Sequence, residues 1–169
     1  MTGSPHDQTT ASATVRVRVA LSERDITAEI MEFPDSTRTA QDAARAIGTS
    51  VAQIVKSLVF IADGRPLLVL ASGANRVDLG KLERLAGAAY LEKASAEQTR
   101  VATGFSIGGV PPVGHATPLP VYMDELLLTY PVVYAAAGTP HAVFAISPRD
   151  LARATQATVG DLADSATVR

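Results

Sequence analysis

Apolar and polar residues are arranged in short blocks along this chain, and the period changes from block to block. In "IVKSLVFIADGRPLLVLAS" two apolar, β-rich runs flank Asp63-Gly64, the signature of a two-residue hairpin. "VVYAAAGTPHAVFAIS" predicts a second hairpin, turning at Gly138-Thr139-Pro140. "DITAEIMEF" predicts a strand stopped by Pro34, while "AAYLEKAS" and "LPVYMD" predict short ones. "ELLLTYP" is an apolar connection. Four other segments have helical periods and their own end signals. "TRTAQDAARAIG" ends on Gly48. "VDLGKLERLAG" starts on Asp78, turns Leu79, Leu82 and Leu85 inward and ends on Gly87. "SAEQTRVATG" opens with the capping box Ser95/Gln98. "SPRDLARATQA" has Ser147 as N-cap, Pro148 at the first helical position and Asp150 at the third. "SATVRVRVALSERD" fits two periods. Val15, Val17 and Val19 alternate as in a strand, and Ala11, Val15, Val19 and Ser22 share a helical face.

These elements predict one α/β (α+β) domain over residues 11–169, with a mixed sheet and helices outside it, behind a disordered tail at residues 1–10. Sequential hairpins argue against a doubly wound parallel sheet. At 169 residues the chain is long enough to bury a full core. Hydrophobic residues make up 47% and charged residues 19%, a globular balance. No apolar run approaches the roughly 20 residues of a membrane span. The polar start "MTGSPHDQTTASA" lacks the apolar centre of a signal peptide. A cytoplasmic location is the resulting expectation.

The net charge of −2 is not that of a general nucleic-acid binder. Its distribution is uneven. Residues 38–100 carry nine basic and six acidic side chains, whereas 101–148 carry no Lys or Arg. Any phosphate contact is therefore expected from the first two thirds of the chain.

Most catalytic arrangements are missing. With no cysteine there is no thiolate nucleophile, disulfide or thiolate metal site. His6, His115 and His141 are too scattered for a zinc motif, so neither a metal nor a cofactor is expected. There is no GxSxG elbow or phosphate-binding P-loop, and Asp124-Glu125 would face opposite ways on a strand. Two features remain. Lys56 shares a strand face with Ile54, Leu58 and Phe60. It is either a cation projecting into a pocket or an edge-strand gatekeeper. "SIGGVPPVGH" holds Gly108, Gly109, Pro111, Pro112 and Gly114. It is either an amide-lined nest for an anion or oxyanion, or a tight structural turn. One cation, several amides and no nucleophile suit attack by a bound water.

"IVKSLVF…DGRPLLVLASGANRVDLGKLERLAGA", "TGFSIGGVPPVGH" and "AAAGTPHAVFAISPRDLARATQA", in that order, resemble the YbaK/ProX superfamily. Its members are free-standing relatives of the editing domain inserted in bacterial prolyl-tRNA synthetases. The resemblance covers about residues 10–163. It implies a mixed sheet curled into an open barrel with surrounding helices. It also implies an aminoacyl-tRNA deacylase that hydrolyses the ester of mischarged tRNA, with prolyl-tRNA synthetase as a further partner and no role for membrane or DNA. The family's lysine falls on Lys56, and Ser57 beside it is expected to bind substrate. Its loop falls on Gly108, Gly109, Pro111 and Gly114, and its later glycine on Gly138. The loop amides are expected to hold the aminoacyl carbonyl, the lysine to meet the tRNA 3′ acceptor end, and a terminal ribose hydroxyl to help activate water. His141 is either a pocket residue or a surface-turn histidine. The acidic position of the cysteine-specific branch is Val143 here, which argues against cysteinyl-tRNA specificity; pocket width, which sequence does not give, leaves Ala, Ser, Cys and Thr open as the amino acid removed. A non-catalytic tRNA- or synthetase-binding module and a small-ester hydrolase remain alternatives.

Overall fold

The computed structural model describes residues 5–165. Two sheets form its centre. The larger has the order β4-β2-β3-β5-β8, built from Leu91–Lys93, Val55–Ala62, Arg65–Ser72, Val121–Asp124 and Thr158–Gly160. The smaller has the order β1-β7-β6, from Ile30–Glu32, Ala142–Ile146 and Val133–Ala136. The larger sheet is mixed: β3 runs parallel to β5 and β5 to β8, while β2 is antiparallel to β3 and β4. The two sheets meet at one bridge, Ile54 to Tyr134, forming a curved wall that does not close. Both predicted hairpins are present, β2-β3 and β6-β7. Asp63 and Gly64 have φ of 49° and 82°, which a two-residue turn of this hand requires.

β3 shows why "LLVLA" is an unbroken apolar run. Leu68 and Leu70 point into one core, with Phe105, Met123 and Phe144. Leu67, Val69 and Ala71 point into a second, with Leu82 of α3 (Leu79–Ala86) and Leu91. A strand buried on both faces has no polar side to show.

Helix α1 (Pro5–Ser22) resolves the ambiguous first segment. Its buried face is Ala13, Val17, Ala20 and Leu21, spaced i, i+4, i+7 and i+8. Val15 and Val19, which share the other helical face, are 48% and 50% exposed. The helix also takes in residues 5–10, which the sequence had placed in a disordered tail; residues 1–4 lie outside the described residues. The missed signal is Ser4-Pro5-His6-Asp7, the same Ser-Pro-x-Asp pattern as at Ser147.

The remaining helices follow their caps. Thr39, Asp78, Ser95 and Ser147 each accept a backbone N–H at the start of α2 (Ala40–Ile47), α3, α4 (Ala96–Thr103) and α5 (Pro148–Thr155). Leu79 differs from expectation: it sits in the first turn of α3 and is exposed, while Leu82 fills the core. The strand expected over "DITAEIMEF" shortens to Ile30–Glu32. Asp25 adopts φ 58° and the Ile26 N–H returns to Leu21 O, so the chain is still closing α1 at that point.

Candidate functional site

The gap between the two sheets makes a cleft of about 380 Å³. Its position follows from strand pairing. On the side of β2 away from β3, β4 pairs only with Phe60–Ala62, and β6 approaches only near Ile54. The stretch Lys56–Leu58 between them faces open space. Ala62↔Arg65 closes the hairpin, and hydrogen-bonded pairs alternate from there. Ser57 therefore turns its N–H and C=O away from β3, as Val59 does, whose C=O accepts from the Ala94 N–H. The cleft walls are completed by Thr37–Gln41, the Ile107-Gly108 turn, Tyr134, Ala136 and Val143.

Lys56 and Gly108 line this same cleft, with Ser57 between the sheets. The Lys56 ammonium donates to Asn75 O, and this fixes its position at the rim. Partial burial, then the positive charges of Arg76 and Lys93, push its pKa down from the ordinary lysine value. The Ser57 hydroxyl oxygen is sealed from solvent, without a hydrogen-bond partner among the described residues.

The glycine loop splits between two jobs. Ser106 O accepts the Gly109 N–H at 3.0 Å, closing a turn with Gly108 at its third position and φ of 94°. That conformation calls for glycine. Among the described residues, nothing accepts the Gly108 N–H, whereas the Gly109 N–H is consumed by the turn. Gly109 is buried against Thr139. Pro111 and Gly114 lie outside the cleft. Pro111 O accepts from the His115 ring at 2.7 Å, and Gly114 packs on Arg16 and Ala20 of α1. Gly138, φ 99°, packs on Ala13 of α1. His141 is exposed and its Nδ1 lies 3.3 Å from Phe33 O, outside the cleft.

A second, larger groove of about 900 Å³ runs between the outer face of α1, the Pro112–His115 segment and the end of α5. It mixes Arg16, Arg24 and Arg153 with Glu23 and Asp25. Burial lowers the pKa of His115 there, against its bond to Pro111 O.

Among the cleft residues that the sequence does not single out are Arg38, which lies in the helical segment "TRTAQDAARAIG", and Ile107, in the glycine loop. The uneven charge was the available signal, since Arg38 begins the basic stretch. Among the described residues no cluster of three or more His, Cys, Asp or Glu could hold a metal, and no helix is long and apolar enough to cross a membrane.

Comparison with known proteins gives these features a context. A crystal structure of a candidate trans-editing enzyme for prolyl tRNA synthetase superposes with a TM-score of 0.86 and 50% identity, covering 97% of this chain and 100% of that one. The uncharacterized protein YwhH of Bacillus subtilis is 32% identical over 124 residues, 73% of this chain and 78% of that protein. The proline–tRNA ligase of Nitratidesulfovibrio vulgaris is 36% identical over 92 residues, 54% of this chain but only 16% of the ligase. The family model for the aminoacyl-tRNA editing domain matches residues 34–154, which include β2, the glycine turn and the β6-β7 hairpin. The chain therefore belongs to the aminoacyl-tRNA editing domain family.

Proposed function

We propose that the protein is a trans-acting aminoacyl-tRNA deacylase. It would remove a small amino acid, among Ala, Ser, Cys and Thr, from mischarged tRNA-Pro and so act downstream of prolyl-tRNA synthetase. The observation that carries this reading is the cleft itself. It joins an ammonium (Lys56), an unused amide (Gly108) and apolar residues (Val55, Val110, Val143), and among the described residues no Asp, Glu or His lines it.

The chemistry follows from that inventory. Water attacks the ester carbonyl carbon, and the carbonyl oxygen gains negative charge as the tetrahedral intermediate forms. The Gly108 N–H would donate to that oxygen, a contact stronger in the transition state than in the ground state. With no Asp, Glu or His among the described residues on the cleft wall to serve as general base, the water's proton would pass to the substrate, through the ribose hydroxyl beside the ester. Collapse breaks the bond between the carbonyl carbon and the ribose oxygen. That oxygen takes the proton, leaving free amino acid and intact tRNA. Lys56 would meet the 3′ end of the tRNA. Such a second sieve is needed because one methyl or hydroxyl gives a synthetase only about 1–3 kcal/mol of discrimination.

Release of amino acid from tRNA-Pro charged separately with Ala, Ser, Cys and Thr tests the proposal. Multiple turnovers on at least one are expected. No release at stoichiometric enzyme, with tRNA still bound, would replace it with a binding module. Equal hydrolysis of free aminoacyl esters would replace it with a small-ester hydrolase.

A further inference from the structure

Arg38 sits where the mechanism has not used it. It is exposed, and Arg38 and Lys56 both line the cleft. Its aliphatic stem lies over the glycine turn: an ideal Cβ on Gly108 would be 2.5 Å from Arg38 Cγ and 3.1 Å from Cδ. The backbone under it is fixed from both sides. Thr37 donates its N–H and its hydroxyl to Pro140 O at 2.6 and 3.1 Å, and Thr39 caps α2. The Arg38 N–H donates to Ser36 Oγ. A stem held in this way loses less rotamer freedom when its head group binds.

The head group has no internal use. The ion pairs among the described residues are Lys81–Asp161, Arg100–Glu97 and Arg153–Asp150, so Arg38 has no carboxylate. Among the described residues, the only charged ones lining the cleft are Arg38 and Lys56, both cationic. The site therefore selects an anion at its mouth. In an aminoacyl ester the carboxyl group is esterified and carries no charge. The nearest anion on such a substrate is a phosphodiester of the nucleotide, and a guanidinium matches phosphate with two parallel N–H donors.

We propose that Arg38 binds a phosphodiester beside the esterified terminal nucleotide, and that this contact makes the cleft prefer a polynucleotide ester over a free aminoacyl ester. The assignment rests on the deacylase reading for its substrate but not for its test. Binding of uncharged tRNA-Pro is measured from 50 to 200 mM salt for wild type, Arg38→Gln and Arg38→Lys, alongside hydrolysis of aminoacyl-tRNA and of phosphate-free aminoacyl-adenosine.

Arg38→Gln should weaken tRNA binding about tenfold and make the slope of log K against log salt shallower by about one contact, roughly 0.7–0.9. Arg38→Lys should keep the slope and lose part of the affinity. Hydrolysis of aminoacyl-adenosine should be unchanged while kcat/KM on aminoacyl-tRNA falls. An unchanged salt slope in Arg38→Gln, or no tRNA binding by wild type, overturns the assignment. Equal loss on both substrates also overturns it, because Arg38 would then act only by shaping the Gly108 turn. A wild type that binds with the expected slopes but hydrolyses nothing would sink the deacylase reading and leave the phosphate contact standing.

Discussion

Gly109 and Thr139 touch backbone to backbone: an ideal Cβ on Gly109 would come 2.8 Å from Thr139 Cα and 2.9 Å from its carbonyl carbon. The glycine turn is thus clamped to the tip of the β6-β7 hairpin, where Thr139 is itself buried. Backbone atoms on both sides leave nothing flexible to yield.

Gly109→Ala should therefore destabilise the fold by about 1–3 kcal/mol, the range for overpacking. For a domain of this size that lowers the melting temperature by roughly 2–4 °C per kcal/mol. Activity should fall as well, because the displaced turn carries Gly108. Gly108→Ala tests the other half of the turn. Its φ of 94° strains any Cβ, and Arg38 must move. Calorimetry on both variants, read beside turnover, checks this. An unshifted melting point for Gly109→Ala would mean that the two loops separate freely.

Much of this arrangement was legible in the sequence because it rests on local chemistry. Asp63-Gly64 marks the hairpin, the capping box at Ser95 marks α4, and Ser147-Pro148 marks α5. What was not legible depends on contacts distant in sequence. Val15, Val17 and Val19 fit two periods, and only the core contributed by β3, β5 and β7 selects a helix with Val17 inside. The loop "SIGGVPPVGH" looked like one site. It divides because Gly109 is held by Thr139, thirty residues later, and Gly114 by α1, nearly a hundred residues earlier. Arg38 gains its meaning only when Gly108 is placed beneath its stem.

Asp124 has no part in the cleft and gives a pH prediction. It ends β5, is 1% exposed, and its Oδ2 has no partner among the described residues. Burial raises its pKa above the ordinary 3.8, against the N–H groups of Leu162 and Leu126 that lower it. Between the unfolded and folded values the native state holds more protons than the unfolded chain. Stability contributed by the protonated form is therefore present below about 3.8 and is lost as pH rises through the folded value. Asp124→Asn keeps the Oδ1 acceptor and cannot ionise. The variant should match wild type near pH 4 and exceed it in melting temperature at pH 7. A gap that is constant with pH would show that Asp124 titrates normally.

His115 shifts in the opposite sense for stability. Burial lowers its pKa from 6.5, opposed by the bond to Pro111 O, with Arg24 lowering it further. The unfolded chain then takes up the proton first as pH falls. Stability is full above about 6.5 and declines below it toward the lowered folded value. Wild type should show an acid limb in melting temperature that starts near pH 6.5, and His115→Gln should flatten it. Because His115 anchors Pro111 but faces the larger groove, turnover at pH 7.5 should stay within a few-fold of wild type. A tenfold loss there would place His115 in the reaction path.

Lys56 separates the site from the scaffold. As a gatekeeper on an open strand edge, it would be dispensable for turnover and its removal would raise aggregation. Its place at the cleft rim, held by Asn75 O and crowded by Arg76 and Lys93, suits a cation kept ready for a ligand anion. Lys56→Ala should abolish deacylation while the protein stays folded. Relief of a desolvated, like-charged ammonium offsets the lost bond to Asn75, so the melting temperature should move little. Because the folded pKa is lowered, the native state is penalised at neutral pH, and that penalty fades as pH rises through the folded value toward 10.5. The melting-temperature difference between Lys56→Ala and wild type should therefore shift in favour of wild type at alkaline pH. Lys56→Arg is the sharper variant. It keeps the charge but brings a bulkier, planar and differently directed head group, so strong loss of turnover is expected. Full activity in Lys56→Ala would remove the lysine from the site and leave the Gly108 amide as the cleft's only catalytic feature.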